Sequence, residues 1–284
     1  MFYFFPTYKW ILINGFFLFF VDYSTNLKKE KKVAETNIQD IEWIAKNNCI
    51  NHSKILPIKN IPVLCYHAIR KISKTDSPKK KTYSVTPEAF ALQMKALAEN
   101  GYKTISPDQL YEHWTKNKPL PDKPIIITFD DGRKEQFTIG ATIMEHYHFK
   151  GVFFIMTISI GKKNYMTKED IKILSLKGHT IGVHSWDHQK ITQYKKEDWN
   201  LQLDKPKKRL ENIIEKPIDY FAYPFGIWSL SAADSIKKHG YKMAFIVYGK
   251  SNPTKPYYTV PRIIVQSTYS IKDLLDIIKN KTQS

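Results

Sequence analysis

Pro124-Ile125-Ile126-Ile127-Thr128-Phe129-Asp130-Asp131-Gly132 is the stretch that decides how this chain is read. An apolar run opened by proline and closed by glycine predicts a buried strand whose exit carries two adjacent carboxylates. Thr180-Ile181-Gly182-Val183 predicts a second such strand, and it runs directly into His184-Ser185-Trp186-Asp187-His188. Strand ends that deliver Asp, Asp, His and His to one rim are how an α/β protein assembles a divalent-metal site. Each segment alone is commonplace; together they are informative.

Outward from these two segments, short apolar runs alternate with amphipathic ones. Strands are expected at 62–66, 103–105, 125–129, 152–156, 180–183, 220–223, 243–247 and 260–265. Helices between them carry clear start signals. Thr86-Pro87 precedes Phe90, Met94 and Leu97 on one face, and Ser106-Pro107 opens another helix. Thr167 with Asp170, and Ser270 with Asp273, have the spacing of capping boxes. Seven or eight βα units predict a closed or nearly closed barrel, with an open doubly wound sheet as the alternative. No glycine-rich phosphate loop follows the first strand, which argues against a nucleotide site.

The chain has 284 residues, enough for one large α/β domain, and a formal net charge of +17. Its lysines are dispersed in small groups such as Lys79-Lys80-Lys81, without the aromatic-basic module of a nucleic-acid binder. The charge therefore points to an anionic cell envelope and not to nucleic acid. Residues 10–21 carry no charge and many aromatics, a length that suits a signal-peptide core better than a full membrane span of ~20 residues. Residues 1–21 are read as a signal peptide or membrane anchor, 22–56 as a polar linker and 57–284 as the catalytic domain. Cys65 lies in the apolar run Val63-Leu64-Cys65-Tyr66 and is expected as a buried free thiol; Cys49 falls in the linker, and nothing demands a disulfide.

Adjacent strand residues point to opposite faces, so Asp130 and Asp131 serve one site only if the backbone turns, which Gly132 permits. His184 and His188 are four apart, and a helical turn starting at the strand end is expected to bring them together. Asp131, His184 and His188 around one ion leave Asp130 free to take a proton from the attacking water. Such oxygen-nitrogen-nitrogen ligation with open positions suits Zn²⁺, with Co²⁺, Ni²⁺ or Fe²⁺ as alternatives. The chemistry is amide or ester hydrolysis. Glycosidic cleavage needs carboxylates ~5–10 Å apart across the sugar, which sequence neighbours fit poorly.

With these motifs in order, the chain resembles the polysaccharide deacetylase family, whose members share the NodB-homology domain, over about 57–265. Thr128 to Asp131 matches its TFDD-type first motif, which implies Asp130 as base and Asp131 as metal ligand. His184 and His188 match its second motif as the remaining ligands. Ala222-Tyr223-Pro224-Phe225-Gly226 corresponds to its third, which implies that Tyr223, Phe225 and Gly226 contact substrate and that the N–H after the proline-aromatic step holds the oxyanion. The implied fold is an irregular (β/α)7-type barrel. Three elements differ: Ala222 stands where many members have arginine, no aspartate-tryptophan motif lies between Tyr248 and Tyr258, and Ile263-Ile264-Val265-Gln266 lacks the late histidine. These differences, and the segments Pro62 to His67 and Val260 to Ile263, resemble the branch of intercellular-adhesin deacetylases.

His67 ends the first expected strand and is either the proton donor to the leaving amine or a core-edge histidine. Arg262 either replaces the missing arginine in orienting a carboxylate or pairs with a structural acid. Phe225 and Trp186 are candidate sugar-stacking surfaces or packing residues. His113, His146, His148, His179 and His239 fall in or beside helices and are read as non-catalytic. The resemblance implies a metal-dependent N-deacetylase of a cell-surface N-acetylglucosamine polymer, preferably the β-1,6-linked one. The N-terminal segment is read as placing the protein outside the cell, by export or as an anchor, and a monomer is expected. Peptidoglycan or chitooligosaccharide deacetylation and a non-catalytic glycan-binding protein are the alternatives.

Overall fold

A computed structural model describes residues 61–283 and the backbone of Trp10–Ile13 and Phe16–Phe19. The chain divides into two units, Met1–Ile58 and Lys59–Ser284. In the first, Trp10–Ile13 and Phe16–Phe19 pair as antiparallel strands. The rest of the expected leader and linker, Cys49 included, lies outside the described residues. Among the described residues no helix is long and apolar enough to cross a membrane.

In the second unit the apolar runs become parallel strands: Val63–Tyr66 (β1), Pro124–Asp131 (β2), Val152–Ile155 (β3), Thr180–Val183 (β4), Tyr220–Ala222 (β5), Met243–Ile246 (β6), Val260–Pro261 (β7) and Ile263–Ile264 (β8). Their order around the sheet is β7-β6-β5-β4-β3-β2-β1-β8. Because β7 and β8 are consecutive in the chain, the two sheet edges meet and a seven-position barrel nearly closes. The expected single strand at 260–265 is thus broken at Arg262. Pro261 has no N–H for a ladder, and Arg262 N donates to Ile246 O at 3.1 Å before the chain changes partner. Pairing resumes on β1, where Val265 N donates to Cys65 O at 3.0 Å.

Strand alternation sorts the side chains. Leu64, Ile125, Ile127, Phe129, Phe153, Val183 and Phe221 share one core with the surrounding helices, while Val63, Ile126, Phe154, Ala222 and Phe245 share another inside the barrel. The longer helices are Pro87–Glu99 (α1), Pro107–Lys116 (α2), Lys168–Leu176 (α3), Lys205–Ile214 (α4), Leu230–Lys238 (α5) and Ile271–Gln283 (α6). The expected caps form: Thr86 caps α1, while Ser106 with Gln109 and Thr167 with Asp170 form complete capping boxes on α2 and α3. Leu110 of α2 belongs to the interior core, so this helix covers the end of the barrel where β2 begins. Gly182 in β4 leaves room inside the barrel; a Cβ there would lie 2.6 Å from the Phe154 ring and 3.0 Å from Tyr220 O.

His179, just before β4, is a structural histidine. Its Nδ1 accepts from Gly151 N at 3.0 Å, which requires the neutral ring. Burial, with Lys150 nearby, pushes its pKa from 6.5 down to about 4. The unfolded chain therefore binds this proton first. Stability contributed by neutral His179 is complete above pH 6.5 and lost as pH falls towards 4, by roughly 3 kcal/mol. Denaturant titrations at pH 7 and pH 4 are expected to show a smaller acid loss in His179→Gln than in the parent; equal losses would refute this assignment.

Candidate active site

Inward parity places residues 65, 67, 128, 130, 182 and 184 on the barrel's inner face, and strand ends lift His67, Asp130 and His184 to its rim. Asp130 is 1% exposed and His184 1%. Asp131 has outward parity, and only backbone distortion brings it in. It adopts φ +82°, followed by Gly132 at +76°. Left-handed backbone is costly for non-glycine residues, and here Asp131, Ser185, His188 and Phe225 all adopt it around one rim.

The segment after β4 corrects one expectation. It is a loop and not a helical turn; Ser185 and His188 take φ +60° and +68°, and Ser185 Oγ accepts from His188 N at 2.9 Å. This local turn folds the chain back until the two imidazoles lie edge to face at 4.7 Å. Asp131 Oδ1 is then 3.8 Å from His184 Nε2 and 3.7 Å from His188 Nε2.

This trio fits a divalent ion. His184 Nδ1 bonds to Ala222 O at 2.8 Å, which leaves Nε2 to present a lone pair to the rim. Burial lowers the His188 pKa to about 4, so its ring is neutral at pH 7. The ligand atoms lie within 4.8 Å of one another, near the ~3.3 Å edges that bonds of ~2.0–2.1 Å give in a tetrahedral shell. Cys65, His67 and Asp130 form a second close trio. Its carboxylate is already claimed by arginine, and burial pushes the Cys65 thiol far up, so that sulfur stays protonated.

That arginine is Arg262. Its Nη1 donates to Asp130 Oδ1 at 2.6 Å and its Nη2 to Oδ2 at 2.8 Å, a two-pronged bond between buried groups. Nη1 also reaches Thr128 Oγ1 at 3.1 Å, and the guanidinium lies 5.4 Å above the Phe154 ring. Burial alone would raise the Asp130 carboxyl. The Arg262 charge outweighs it, helped by His184, and holds Asp130 well below the usual carboxylate range. Arg262 shares the inward parity of Val260, which lies in the interior core, and so its side chain enters the barrel.

His67 lies 3.9 Å from Asp130 Oδ2 through Nε2 and 3.9 Å from Cys65 Sγ through Nδ1. Burial lowers its pKa against the opposing pull of Asp130. It lines a cleft of about 670 Å³ with Asp130, Asp131, His184, His188 and Phe225. Phe225 is 41% exposed, and its ring meets His188 at 4.4 Å.

Three other positions differ from expectation. Tyr223 is fully buried, packed at 5.4 Å on Phe221 in the core beneath the helices, because it follows inward Ala222 and takes outward parity. It does not line the cleft. Gly226 does, but its N–H is spent on Tyr223 O at 2.8 Å and is not available to an oxyanion. Trp186 is also absent from the lining. Its ring is covered by Lys205 at 4.0 Å and Arg209 at 5.5 Å.

Sequence reasoning missed Gln136 and Arg133. Buried Gln136 donates through Nε2 to His67 O at 2.7 Å and to Asp130 O, and its Oε1 accepts from Arg133 N at 3.1 Å. One side chain thus ties the ends of β1 and β2 together. Arg133 reaches Asp131 Oδ2 at 3.4 Å. The three-residue spacing of Arg133 and Gln136 was a readable local signal; the bridge to His67 was not.

A family model described as polysaccharide deacetylase matches residues 117–244, a span that contains both aspartates, both histidines and the Phe225 turn. Over that span the chain is similar to the polysaccharide deacetylase family. YxkH of Bacillus subtilis (strain 168) is 27% identical over 242 residues, covering 84% of this chain and 81% of that protein. The poly-β-1,6-N-acetyl-D-glucosamine N-deacetylase of Staphylococcus aureus (strain MSSA476) is 25% identical over 225 residues, 71% of this chain and 77% of that one. Among solved structures, Streptococcus pyogenes deacetylase PplD in complex with acetate aligns with a TM-score of 0.70 at 22% identity, covering 77% of this chain and 97% of that one. IcaB from Ammonifex degensii aligns at 0.65 and 21%, covering 78% and 97%. These structural likenesses bear on the fold. This match and the ligand set together make the protein a metal-binding hydrolase, and the match implies an N-acetylated glycan substrate.

Proposed function

We propose that this chain removes N-acetyl groups from an N-acetylglucosamine polymer at the cell surface, with the β-1,6-linked polymer preferred. The observation that carries the reading is Asp130, fixed through both oxygens by Arg262 beside Asp131, His184 and His188. Asp131, His184 and His188 would hold the ion, with Zn²⁺ preferred for two imidazoles and one carboxylate. When bound, the ion supplies a Lewis acid for the acyl oxygen and lowers the pKa of water.

The protein's own groups divide the remaining work. Asp130 accepts the proton of the attacking water, and Arg262 keeps that carboxylate ionised and aimed. His67 delivers a proton to the leaving amine from the same rim. Phe225 offers a ring face to the sugar. The β-1,6 preference is supported by the name of the S. aureus relative. The N-terminal segment, as an export signal or anchor, would place the domain outside the cell.

Acetate release from β-1,6 and β-1,4 N-acetylglucosamine oligomers and from peptidoglycan, at defined metal loading, tests this. Turnover should be greatest on the β-1,6 oligomer, vanish on chelation and return with Zn²⁺. Equal or absent turnover on that oligomer would remove the linkage preference. Glycan binding without acetate release from any of the three would overturn the reaction.

A further inference from the structure

We infer that the glycan in this cleft carries anionic groups, carboxylate or phosphate, near the acetamido group that is removed, and that Lys79 and Lys80 bind them. The inference rests on the deacetylase reading above and narrows its substrate.

The two lysines stand on a built wall. The segment between β1 and α1 is pinned by Ala68 N to Tyr83 O at 3.0 Å and Arg70 N to Val85 O at 2.9 Å. Ser84 Oγ donates to Lys80 O at 2.7 Å. Across the rim the Tyr83 and Tyr248 hydroxyls meet at 2.7 Å, tying the wall to the loop after β6. Lys79 and Lys80 project from the short helix Pro78–Thr82 and line the cleft.

Charge accounting then isolates them. The cleft lining contains three carboxylates, Asp76, Asp130 and Asp131. Asp76 accepts from Arg70 Nη1 at 2.8 Å and from Ser73 N at 2.9 Å, and these bonds hold its carboxyl below the usual range. Lys80 acts on Asp76 only through space. Asp130 is bound by Arg262, and Asp131 faces His184, His188 and Arg133. Among the described residues, neither Lys79 nor Lys80 forms an ion pair. A neutral glycan offers these ammonium groups only hydroxyls and amides. Its product is worse, because each acetyl removed leaves a glucosamine ammonium beside two like charges. A negatively charged substituent supplies the missing partner and offsets that repulsion.

The test uses the full chain and three probes: a β-1,6-linked N-acetylglucosamine pentamer, the same pentamer bearing O-succinyl groups, and the same pentamer bearing phosphates. Acetate release gives KM and kcat, and calorimetry gives Kd. A charged pentamer is expected to show KM and Kd about 3- to 20-fold lower than the neutral one, with kcat little changed. The succinylated and phosphorylated arms separate the two sources of charge. The advantage should disappear at high salt and in Lys79→Gln/Lys80→Gln, for which the three pentamers should share one Kd. Equal Kd for all three probes, or an advantage that persists in the double variant, would overturn the inference whether or not acetate is released. Failure of the deacetylase reading is separate: it is the absence of acetate from every probe.

Discussion

Asp130→Asn is expected to lower kcat by about 10²–10⁴-fold while leaving metal stoichiometry unchanged. The amide cannot take the water proton, whereas Asp131, His184 and His188 keep their ligand atoms. A second effect follows from burial. Arg262 has no exposed side-chain surface, and with Asn opposite it becomes a buried cation without a counter-charge. Loss of one partner of such a pair costs about 3–5 kcal/mol, reduced here because the Asn carbonyl still accepts one bond. Metal analysis, acetate release and denaturant melts on one preparation check all three. Wild-type kcat at full metal loading would exclude Asp130 as the base, and loss of the metal would make it a ligand.

Arg262→Met is expected to be the most destabilising single change at this site, by about 3–5 kcal/mol in the metal-free protein. Met removes both bonds to Asp130 and the bond to Thr128 Oγ1, and strands a buried carboxylate. Turnover should fall with it, because an unpaired buried carboxyl is pushed towards its neutral form and can no longer accept a proton. The signature that separates a charge effect from lost packing is non-additivity. Asp130→Leu/Arg262→Met, which buries no charge, should be more stable than Arg262→Met alone. A double variant less stable than either single one would show that packing, and not the ion pair, dominates at this position.

Much of this arrangement was legible beforehand because its causes are local. Alternation along 125–131 and 180–184 is a property of strand geometry, so the inward parity of Asp130 and His184 follows from counting residues. The helix starts at Thr86, Ser106 and Thr167 were readable because a cap joins side chain and backbone within three residues. Asp131 was legible as a ligand candidate only through the motif, since its parity points outward and a φ of +82° reverses it. The opposite outcomes of Phe225 and Tyr223 have the same kind of origin. Two residues apart in one motif, they diverge because a left-handed Phe225 turns the chain at the strand exit.

What the sequence determined by itself, then, is the set of strands, their inward faces and the residues offered to the rim, all consequences of short-range periodicity and capping. Which group faces which was decided by tertiary structure. Asp130 and Arg262 are 132 positions apart, and no local rule connects them. They meet because the barrel comes round to β1, beside β2, and brings inward-facing Arg262 with it, placing one long cation in an interior that Ala222 leaves without an arginine. Closure of the sheet is a property of the whole barrel, and so is the charge balance at its centre.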